Sequence, residues 1–337
     1  MKAKIKTRME GNRVNLGDVL PISTPYVLII EPASICNQRC LFCPAGNSKD
    51  LKVLKNNKGI LGFDLFKKII DDTKNFDSFI KVVRLYKMGE PLLNPFFSKM
   101  VKYAKKSVNI KKIDTTTNGL LLNSKLNTEI IKAGIDQINI SVNGISADQI
   151  FKFTRTKINF DRYVDNIKDL YEKKENCTIY IKAIKQNLSV DDQKRFFEMF
   201  GNFADRIFLE NLIPNWPEFQ INEKNINFKE GSYGQEVLEK KVCPYIFYTM
   251  VINSDGSISA CLQDWKRKLI AGNSNNESLR DIWLGNILDA YRLEHLKGNR
   301  KHNPICANCG VISYGLMDNI DNSSTKILDR LKNKTFN

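Results

Sequence analysis

The feature that most constrains the fold of this 337-residue chain is a repeated alternation between residues 24 and 214. Short runs rich in Ile and Val, such as YVLII and INISV, alternate with longer amphipathic segments, such as FDLFKKIIDDTKN and NSKLNTEIIKAG. Strands that alternate with helices form βαβ units around a parallel sheet. We count six such units. They predict an α/β fold, an open, partial (β/α)6 barrel that resembles a TIM barrel.

After Pro214 the pattern changes, which predicts a second and smaller unit. A polar connector leads to YTMVINSDGSISAC, where an SDGS turn between two alternating apolar runs predicts a β-hairpin. The segment SLRDIWLGNILDAYRLEHLKG is amphipathic and predicts a helix. We therefore expect a barrel domain at 1–225 and a small α+β domain at 226–337.

The chain carries a formal net charge of +15, which raises the question of an anionic partner. Most lysines stand beside acidic residues, as in KKIIDD and KDLYEKKEN, and no basic stripe is interleaved with aromatic residues. This pattern indicates solvated helix faces and argues against nucleic acid, but an anionic small substrate fits it. The sequence shows neither a signal peptide nor an apolar run of membrane-spanning length, so we expect a cytoplasmic protein.

The chain contains eight cysteines, which are its strongest candidates for a chemical role. A cytosolic compartment keeps thiols reduced, so grouped cysteines indicate metal binding rather than disulfides. Seven of the eight fall into two groups, and Cys177 stands alone. A lone cysteine is most simply a small buried hydrophobic residue, with a hydrogen-atom donor as the alternative.

The first group, CNQRCLFC, places Cys36, Cys40 and Cys43 in a short loop directly after the first strand. Soft thiolates suit either an iron-sulfur cluster or zinc. Zinc normally takes a fourth Cys or His close by, whereas His295 and His302 lie far along the chain. Three ligands on a [4Fe-4S] cluster instead leave one iron open for a small molecule.

This C-x3-C-x2-C spacing, with Phe42 before the last cysteine, resembles the signature of radical S-adenosylmethionine (SAM) enzymes. The resemblance implies a [4Fe-4S] cluster whose open iron chelates the methionine part of SAM. It also implies that reductive cleavage of SAM gives a 5'-deoxyadenosyl radical, which abstracts hydrogen from a substrate. An electron donor such as flavodoxin or ferredoxin is implied as a partner.

Two further segments resemble motifs of that family at successive strand ends. Met88, Gly89 and Glu90, in MGEP, are similar to the family's GGE-P segment, with methionine in place of the first glycine. The resemblance implies that Gly89 and Glu90 meet the ammonium of the methionine moiety. Asn118, in TTTNG, corresponds to a segment that lies near the SAM ribose and methionine.

The later strands supply the remaining cofactor contacts that the resemblance implies. Ser141 and Asn143, in SVNG, are similar to the family's S-x-D/N-G segment near the cofactor. Arg155 follows the fourth strand, where an arginine can pair with the SAM carboxylate, although a solvated surface arginine also fits. Lys182 and Ala183, on the fifth strand, are candidates for backbone contacts to adenine.

The second group comprises Cys243, Cys261, Cys306 and Cys309, with 17, 44 and 2 residues between successive members. Four thiolates can close the coordination of a cluster. The group resembles the SPASM domain of radical SAM enzymes, or its shortened form, the twitch domain, and implies one auxiliary [4Fe-4S] cluster. A zinc site made by the same four cysteines remains the alternative.

These features predict a radical SAM oxidoreductase acting on a small substrate, a sugar or aminocyclitol alcohol, to give a ketone or an epimer. The alternative is a peptide or protein maturase, which the short segment before the first strand weakens. A non-catalytic electron carrier would not need cofactor motifs at four strand ends. The candidate pocket residues are Tyr86, Lys87, Glu210, Asn215 and Trp216, and no general base is assigned.

Overall fold

The fold was analysed in a computed structural model that describes residues 1–8, 14–47, 59–219, 221, 226 and 228–337. Ten strands of these residues form one sheet in the order β1-β7-β6-β5-β4-β3-β2-β8-β9-β10. The strands are β1 Lys4–Ile5, β2 Val27–Ile30, β3 Val82–Leu85, β4 Ile113–Thr117, β5 Gln137–Ser141, β6 Thr178–Ile184, β7 Arg206–Glu210, β8 Thr249–Ile252, β9 Ser257–Ser259 and β10 Ile270–Asn273.

Helices connect the strands and cover the sheet. They are α1 Leu16–Val19, α2 Pro44–Asn47, α3 Phe63–Asp72, α4 Phe97–Ala104, α5 Ser124–Lys132, α6 Ala147–Thr154, α7 Phe160–Glu172, α8 Val190–Phe200, α9 Leu279–Trp283, α10 Asn286–Leu296, α11 Pro304–Ala307, α12 Val311–Tyr314 and α13 Ser324–Lys332. Helix α7 buries Tyr163, Ile167 and Leu170, which recur at helical spacing, and exposes charged residues. None of the helices described is long and apolar enough to cross a membrane.

The central six strands, β2 to β7, are parallel neighbours in chain order, as the alternation predicts. All four residues of β2 are buried, because helices cover one face of the sheet and the barrel interior lies at the other. Helices α3, α4, α5, α7 and α8 confirm the five predicted helices. The sheet is an unclosed partial barrel, as expected.

Two strands extend the barrel beyond the predicted six. At one edge, β1 pairs in parallel with β7, and Lys4 lies opposite Arg206. At the other edge, β8 pairs in parallel with β2, and Val27 lies opposite Thr249. Sequence patterns do not reveal which strands become neighbours across more than 200 residues. The expected domain boundary near residue 225 lies outside the described residues.

The C-terminal elements agree with the expected hairpin and modify the expected helix. Strands β8 and β9 are antiparallel, and Gly256 in their turn has a φ of 88°. The amphipathic segment forms two helices, α9 and α10, rather than one. Gly285 separates them in an extended conformation, where a Cβ atom would lie 2.7 Å from the carbonyl oxygen of Asp281.

Candidate active site

The first three cysteines lie in the loop between β2 and α2, at the carboxyl end of the parallel strands. Burial raises the pKa of the Cys36 thiol to about 11 and that of Cys43 to about 12. Burial also raises the pKa of Cys40, and the neighbouring Cys43 and Cys36 raise it further. Hydrogen bonds, as from Gln38 N to Cys36, act against this rise, and the positive charge of cluster irons would stabilise the thiolates further.

Cysteine spacing is compatible with a cluster in a second respect. Within the described ranges, no three His, Cys, Asp or Glu side chains converge closely enough to hold a single metal ion. The cysteine ligands of a [4Fe-4S] cluster each bind a different iron, so they stand farther apart than the ligands of one ion. Three cysteines on one loop supply the thiolate ligands that such a cluster takes.

Glu90 lies where β3 ends and the short turn Pro91–Leu93 begins. Its carboxylate accepts hydrogen bonds from Thr117 Oγ1 at 2.6 Å, from Asn118 N at 2.8 Å and from Leu92 N at 3.1 Å. Burial raises the pKa of Glu90 to about 7, against which these three donors act. A carboxylate fixed by three donors at two adjacent strand ends is well placed to meet a cationic ligand.

Gly89 fits a position where the backbone comes very close to the cysteine loop. A Cβ atom there would lie 2.3 Å from the carbonyl oxygens of both Ala33 and Ile35. Met88, which replaces the family's first glycine, is not among the described residues with a positive φ. The backbone therefore needs a glycine at 89 for space, and it does not need one at 88 for conformation.

Asn118 and Asn143, at the ends of β4 and β5, point to the cysteine loop. The Nδ2 atom of Asn118 donates to Asn37 Oδ1 at 2.7 Å and lies 3.9 Å from Cys36 Sγ. That of Asn143 donates to Gln38 Oε1 at 3.2 Å and lies 4.0 Å from Cys40 Sγ. These amides therefore brace the loop that presents the thiols, a contact that the sequence did not suggest.

Four further predicted residues lie at or near the same end of the sheet. Ser141 and Lys182 are opposite each other in the β5–β6 register, and Ala183 is buried. The Nζ atom of Lys182 pairs with Glu210 at 2.6 Å. Arg155 is exposed and ends α6 with a φ of 55°.

Helix α6, which the sequence did not predict, ends against the cysteine loop. The carbonyl oxygens of Phe153 and Thr154 accept hydrogen bonds from Leu41 N and Arg39 N at 3.0 and 2.9 Å. The side chain of Ser146 caps its first turn by accepting from Gln149 N at 3.2 Å. A serine three residues before a glutamine is a recognisable signal for the start of a helix, and this pair follows shortly after the SVNG motif.

The second cysteine group also comes together. Cys243 precedes the turn Pro244–Phe247, Cys261 follows β9, and Cys306 lies in α11. Burial raises the pKa of Cys261, and Cys309, Cys243 and Cys306 raise it further. The four thiols are near enough to one another to interact electrostatically, and four ligands suit a closed cluster. Cys177, by contrast, is buried ahead of β6, away from both groups.

A cavity of about 630 Å³ runs through the barrel between the two cysteine groups. Phe42 and Cys43 line it on one side, and Leu262 and Gln263, directly after Cys261, line it on another. Among the predicted pocket residues, Tyr86, Glu210, Asn215 and Trp216 line the cavity. A substrate held there would contact the loops of both candidate clusters.

Lys87 does not line this cavity, which corrects the prediction. Its Nζ atom is buried and donates to Asn253 Oδ1 at 2.5 Å, between β3 and β8. Successive residues of an extended chain face opposite sides, so Tyr86 and Lys87 cannot both point into the barrel. Arg8 and Arg84 do line the cavity, and sequence reasoning missed both.

Comparison with known proteins places this arrangement in a family. Residues 30–189 match the radical SAM superfamily, and residues 243–310 match SPASM, an iron-sulfur cluster-binding domain. The chain is thus a radical SAM enzyme with a C-terminal SPASM domain. These domains bind [4Fe-4S] clusters, and SAM is bound in related structures.

The named relatives carry out several different chemistries. The chain is 24% identical over 306 residues to a tungsten-containing aldehyde ferredoxin oxidoreductase cofactor-modifying protein of Pyrococcus furiosus, covering 76% of this chain and 80% of the relative. It is 31% identical over 209 residues to GTP 3',8-cyclase of Clostridium acetobutylicum, covering 60% of this chain and 61% of that enzyme. These names do not share one substrate.

Among solved structures, the fold is similar to BtrN in complex with AdoMet and 2-DOIA. The TM-score is 0.56 and the sequence identity is 17%, with 88% of this chain and 94% of BtrN covered. At this identity the likeness shows the fold alone. The likeness extends across nearly the whole length of both chains.

Proposed function

We propose that this protein is a radical SAM oxidoreductase that dehydrogenates an alcohol of a small substrate, a sugar or an aminocyclitol, to a ketone. The observation that carries the proposal is that Cys43, Leu262 and Gln263 line the same cavity. A substrate in this cavity lies between the loop of the first cluster and the loop of the auxiliary cluster. BtrN, a radical SAM dehydrogenase with a SPASM-like cluster, has the same combination of domains.

Residue roles follow from this placement. We assign Cys36, Cys40 and Cys43 to the cluster that binds SAM, with Phe42, Gly89, Glu90, Asn118, Ser141, Asn143, Arg155, Lys182 and Ala183 around the cofactor. We assign Cys243, Cys261, Cys306 and Cys309 to the auxiliary cluster. When bound, SAM and the first cluster supply the hydrogen-abstracting radical, and the auxiliary cluster accepts the remaining electron.

The balance of the reaction requires a proton acceptor in addition to the cofactors. An alcohol that becomes a ketone loses a hydrogen atom from carbon, a proton from oxygen and one electron. Glu210 is a carboxylate of the cavity wall whose Oε2 pairs with Lys182 at 2.6 Å. Its Oε1 accepts a long hydrogen bond of 3.4 Å from Tyr180. That oxygen has capacity for the hydroxyl proton of a substrate.

Dehydrogenation is favoured over epimerisation by the position of the lone cysteine. An epimerase needs a protein side chain that returns a hydrogen atom to the substrate radical. Cys177 is the cysteine outside the two groups. Its side chain is only 3% exposed, and it is absent from the residues that line the cavity. Burial raises the pKa of Cys177 to about 12, as for an inert packed thiol.

The decisive experiment uses protein reconstituted anaerobically with iron and sulfide, then incubated with SAM, a low-potential reductant and a panel of polyols and aminocyclitols. We expect 5'-deoxyadenosine and a ketone, and deuterium in 5'-deoxyadenosine when the carbinol carbon of the substrate is deuterated. Cys36→Ala should abolish both products, while Cys177→Ala, the matched control, should retain them. Turnover of peptides alone would overturn the proposal in favour of a maturase. In the cell, where we expect the protein to be cytoplasmic, a flavodoxin or ferredoxin would supply the electron that the chemical reductant supplies in this assay.

A further inference from the structure

The interior of the barrel holds a positive charge that its neighbours do not fully balance. Arg84, on β3, lines the cavity, and its Nε atom lies 3.6 Å from Asp114 Oδ2 on β4. This separation exceeds hydrogen-bond length, and both Arg84 Nε and Asp114 Oδ1 are buried without a hydrogen-bond partner among the described residues. A buried guanidinium with an unsatisfied N–H can accept a better-placed anionic partner.

A second guanidinium reaches the same place from the opposite end of the sequence. Arg8 follows β1 and donates to the hydroxyl of Tyr86, with its guanidinium 5.2 Å from the centre of that ring. Electrostatic interactions link Arg8 to Arg84 and link each of them to Asp114. In the described part of the chain, two partly buried guanidiniums therefore share one carboxylate, which leaves one positive charge in excess.

The other charges of the cavity do not remove this excess. Lys182 and Glu210 neutralise each other at 2.6 Å, and Asp318, a further carboxylate of the cavity wall, interacts electrostatically with Lys240. Lys81 lies at the exposed rim, with its ammonium 3.4 Å from the centre of the Tyr26 ring. Tyr233 and Tyr245 also line the cavity, and burial raises the pKa of both, so their neutral hydroxyls can donate hydrogen bonds. Guanidinium groups beside phenolic donors suit the oxygens of a carboxylate or phosphate.

We propose that Arg8 and Arg84 form an anion-binding subsite, which holds a carboxylate or phosphate group of the substrate inside the barrel. This inference rests on the proposed function and narrows it to substrates that carry such a group. Because Arg8, Arg84, Phe42 and Cys43 line the same cavity, an anion bound at one end fixes how the rest of the molecule meets the cluster loop. Asp114 then acts as an internal competitor for the two guanidiniums.

Calorimetric titration of the reconstituted, SAM-loaded enzyme without reductant tests this directly. The probes are two matched pairs, sorbitol with sorbitol 6-phosphate and glucose with glucuronate, together with inorganic phosphate. We expect the anionic member of at least one pair to bind about tenfold tighter or more, with an advantage that shrinks as salt is added. Equal affinities within both pairs would overturn the proposal. The phosphate and carboxylate pairs distinguish the two possible groups.

Variants that are expected to change anion binding in opposite directions identify the residues of the subsite. Arg84→Gln and Arg8→Gln should weaken binding of the anionic probe about tenfold and leave that of the neutral probe unchanged. Asp114→Asn should strengthen anion binding, because it removes the competing carboxylate without changing the size of the side chain. Lys81→Gln, at the rim, is the matched control and should have little effect. Iron content and thermal midpoint report whether each variant is folded.

The subsite is contradicted if the arginine variants lose binding of the neutral probe together with that of the anionic one. Weaker anion binding in Asp114→Asn contradicts it as well. If Arg84→Gln does not fold, Asp114→Asn still decides the question by the direction of its effect. No reductant is present, so these titrations are independent of turnover. An enzyme that binds anions here but dehydrogenates nothing would refute the proposed function alone, and a dehydrogenase indifferent to anions would refute the subsite alone.

Discussion

The carboxylate of Glu90 accepts a 2.8 Å hydrogen bond from the backbone N–H of Asn118, and thereby joins the ends of two neighbouring strands. The same carboxylate accepts from Thr117 Oγ1 at 2.6 Å, while Asn118 itself reaches the cysteine loop through Asn37. Glu90 is consequently linked to the cysteine loop through Asn118.

Affinity for SAM should rise with pH because of Glu90. Burial raises the pKa of Glu90 from 4.5 to about 7, so in SAM-free protein its contribution to stability is present below about pH 4.5 and is lost as the pH rises through about 7. The amino N–H groups of bound SAM would donate to the ionised form of Glu90, so SAM should bind about tenfold tighter at pH 8 than at pH 6. Equilibrium titration with SAM measures this. Glu90→Gln should weaken binding and flatten the profile, while exposed Glu172→Gln should do neither.

Gly89→Ala should destabilise the protein and disturb the first cluster. The added Cβ atom would lie 2.3 Å from two carbonyl oxygens of the chain before Cys36, so the cysteine loop must move. We expect a loss of about 1–3 kcal/mol in the free energy of unfolding and a lower iron content after reconstitution. Gly62→Ala is the matched control, since nothing lies within 4 Å of its added Cβ atom. Equal stability of the two variants would contradict the close approach at Gly89.

Cys261→Ala should remove one cluster and leave the other. Because two [4Fe-4S] clusters contain about eight irons, the variant should retain about four, with no zinc in either protein. SAM cleavage to 5'-deoxyadenosine should persist, whereas ketone formation should fail for lack of an electron acceptor. Metal analysis after anaerobic purification is the measurement. About four irons plus one zinc in the unmodified protein would show that the second group is a zinc site.

Asn118→Ala should lower the reduction potential of the first cluster. Its Nδ2 atom lies 3.9 Å from Cys36 Sγ, and hydrogen bonds to the sulfurs of a cluster stabilise the reduced state. A redox titration followed by electron paramagnetic resonance should show a shift to more negative potential, on the order of tens of millivolts. Asn75→Ala, at an exposed position in the turn that follows α3, should leave the potential unchanged. An unchanged potential in Asn118→Ala would show that this amide acts only on Asn37.

The sequence by itself determined the barrel strands, most of their helices and the position of the candidate chemistry. Alternation of Ile- and Val-rich runs with amphipathic segments is a local pattern, and residues at the ends of parallel strands must share one edge of the sheet. Cys36, Glu90 and Asn118 could therefore be placed together before any contact was known. The grouping of Cys243 with Cys261, Cys306 and Cys309 followed from spacing and family resemblance.

Only the tertiary structure decided which distant residues meet. Arg8 enters the barrel because a two-residue strand pairs with β7, and β8 joins the sheet beside β2 across more than 200 residues of sequence. Such pairings depend on packing between surfaces that are far apart in sequence, so no local sequence pattern predicts them. The fold also decides that Arg84 lines the cavity and that Lys87 does not. The strand alternates its faces, and the fold decides which face is the interior.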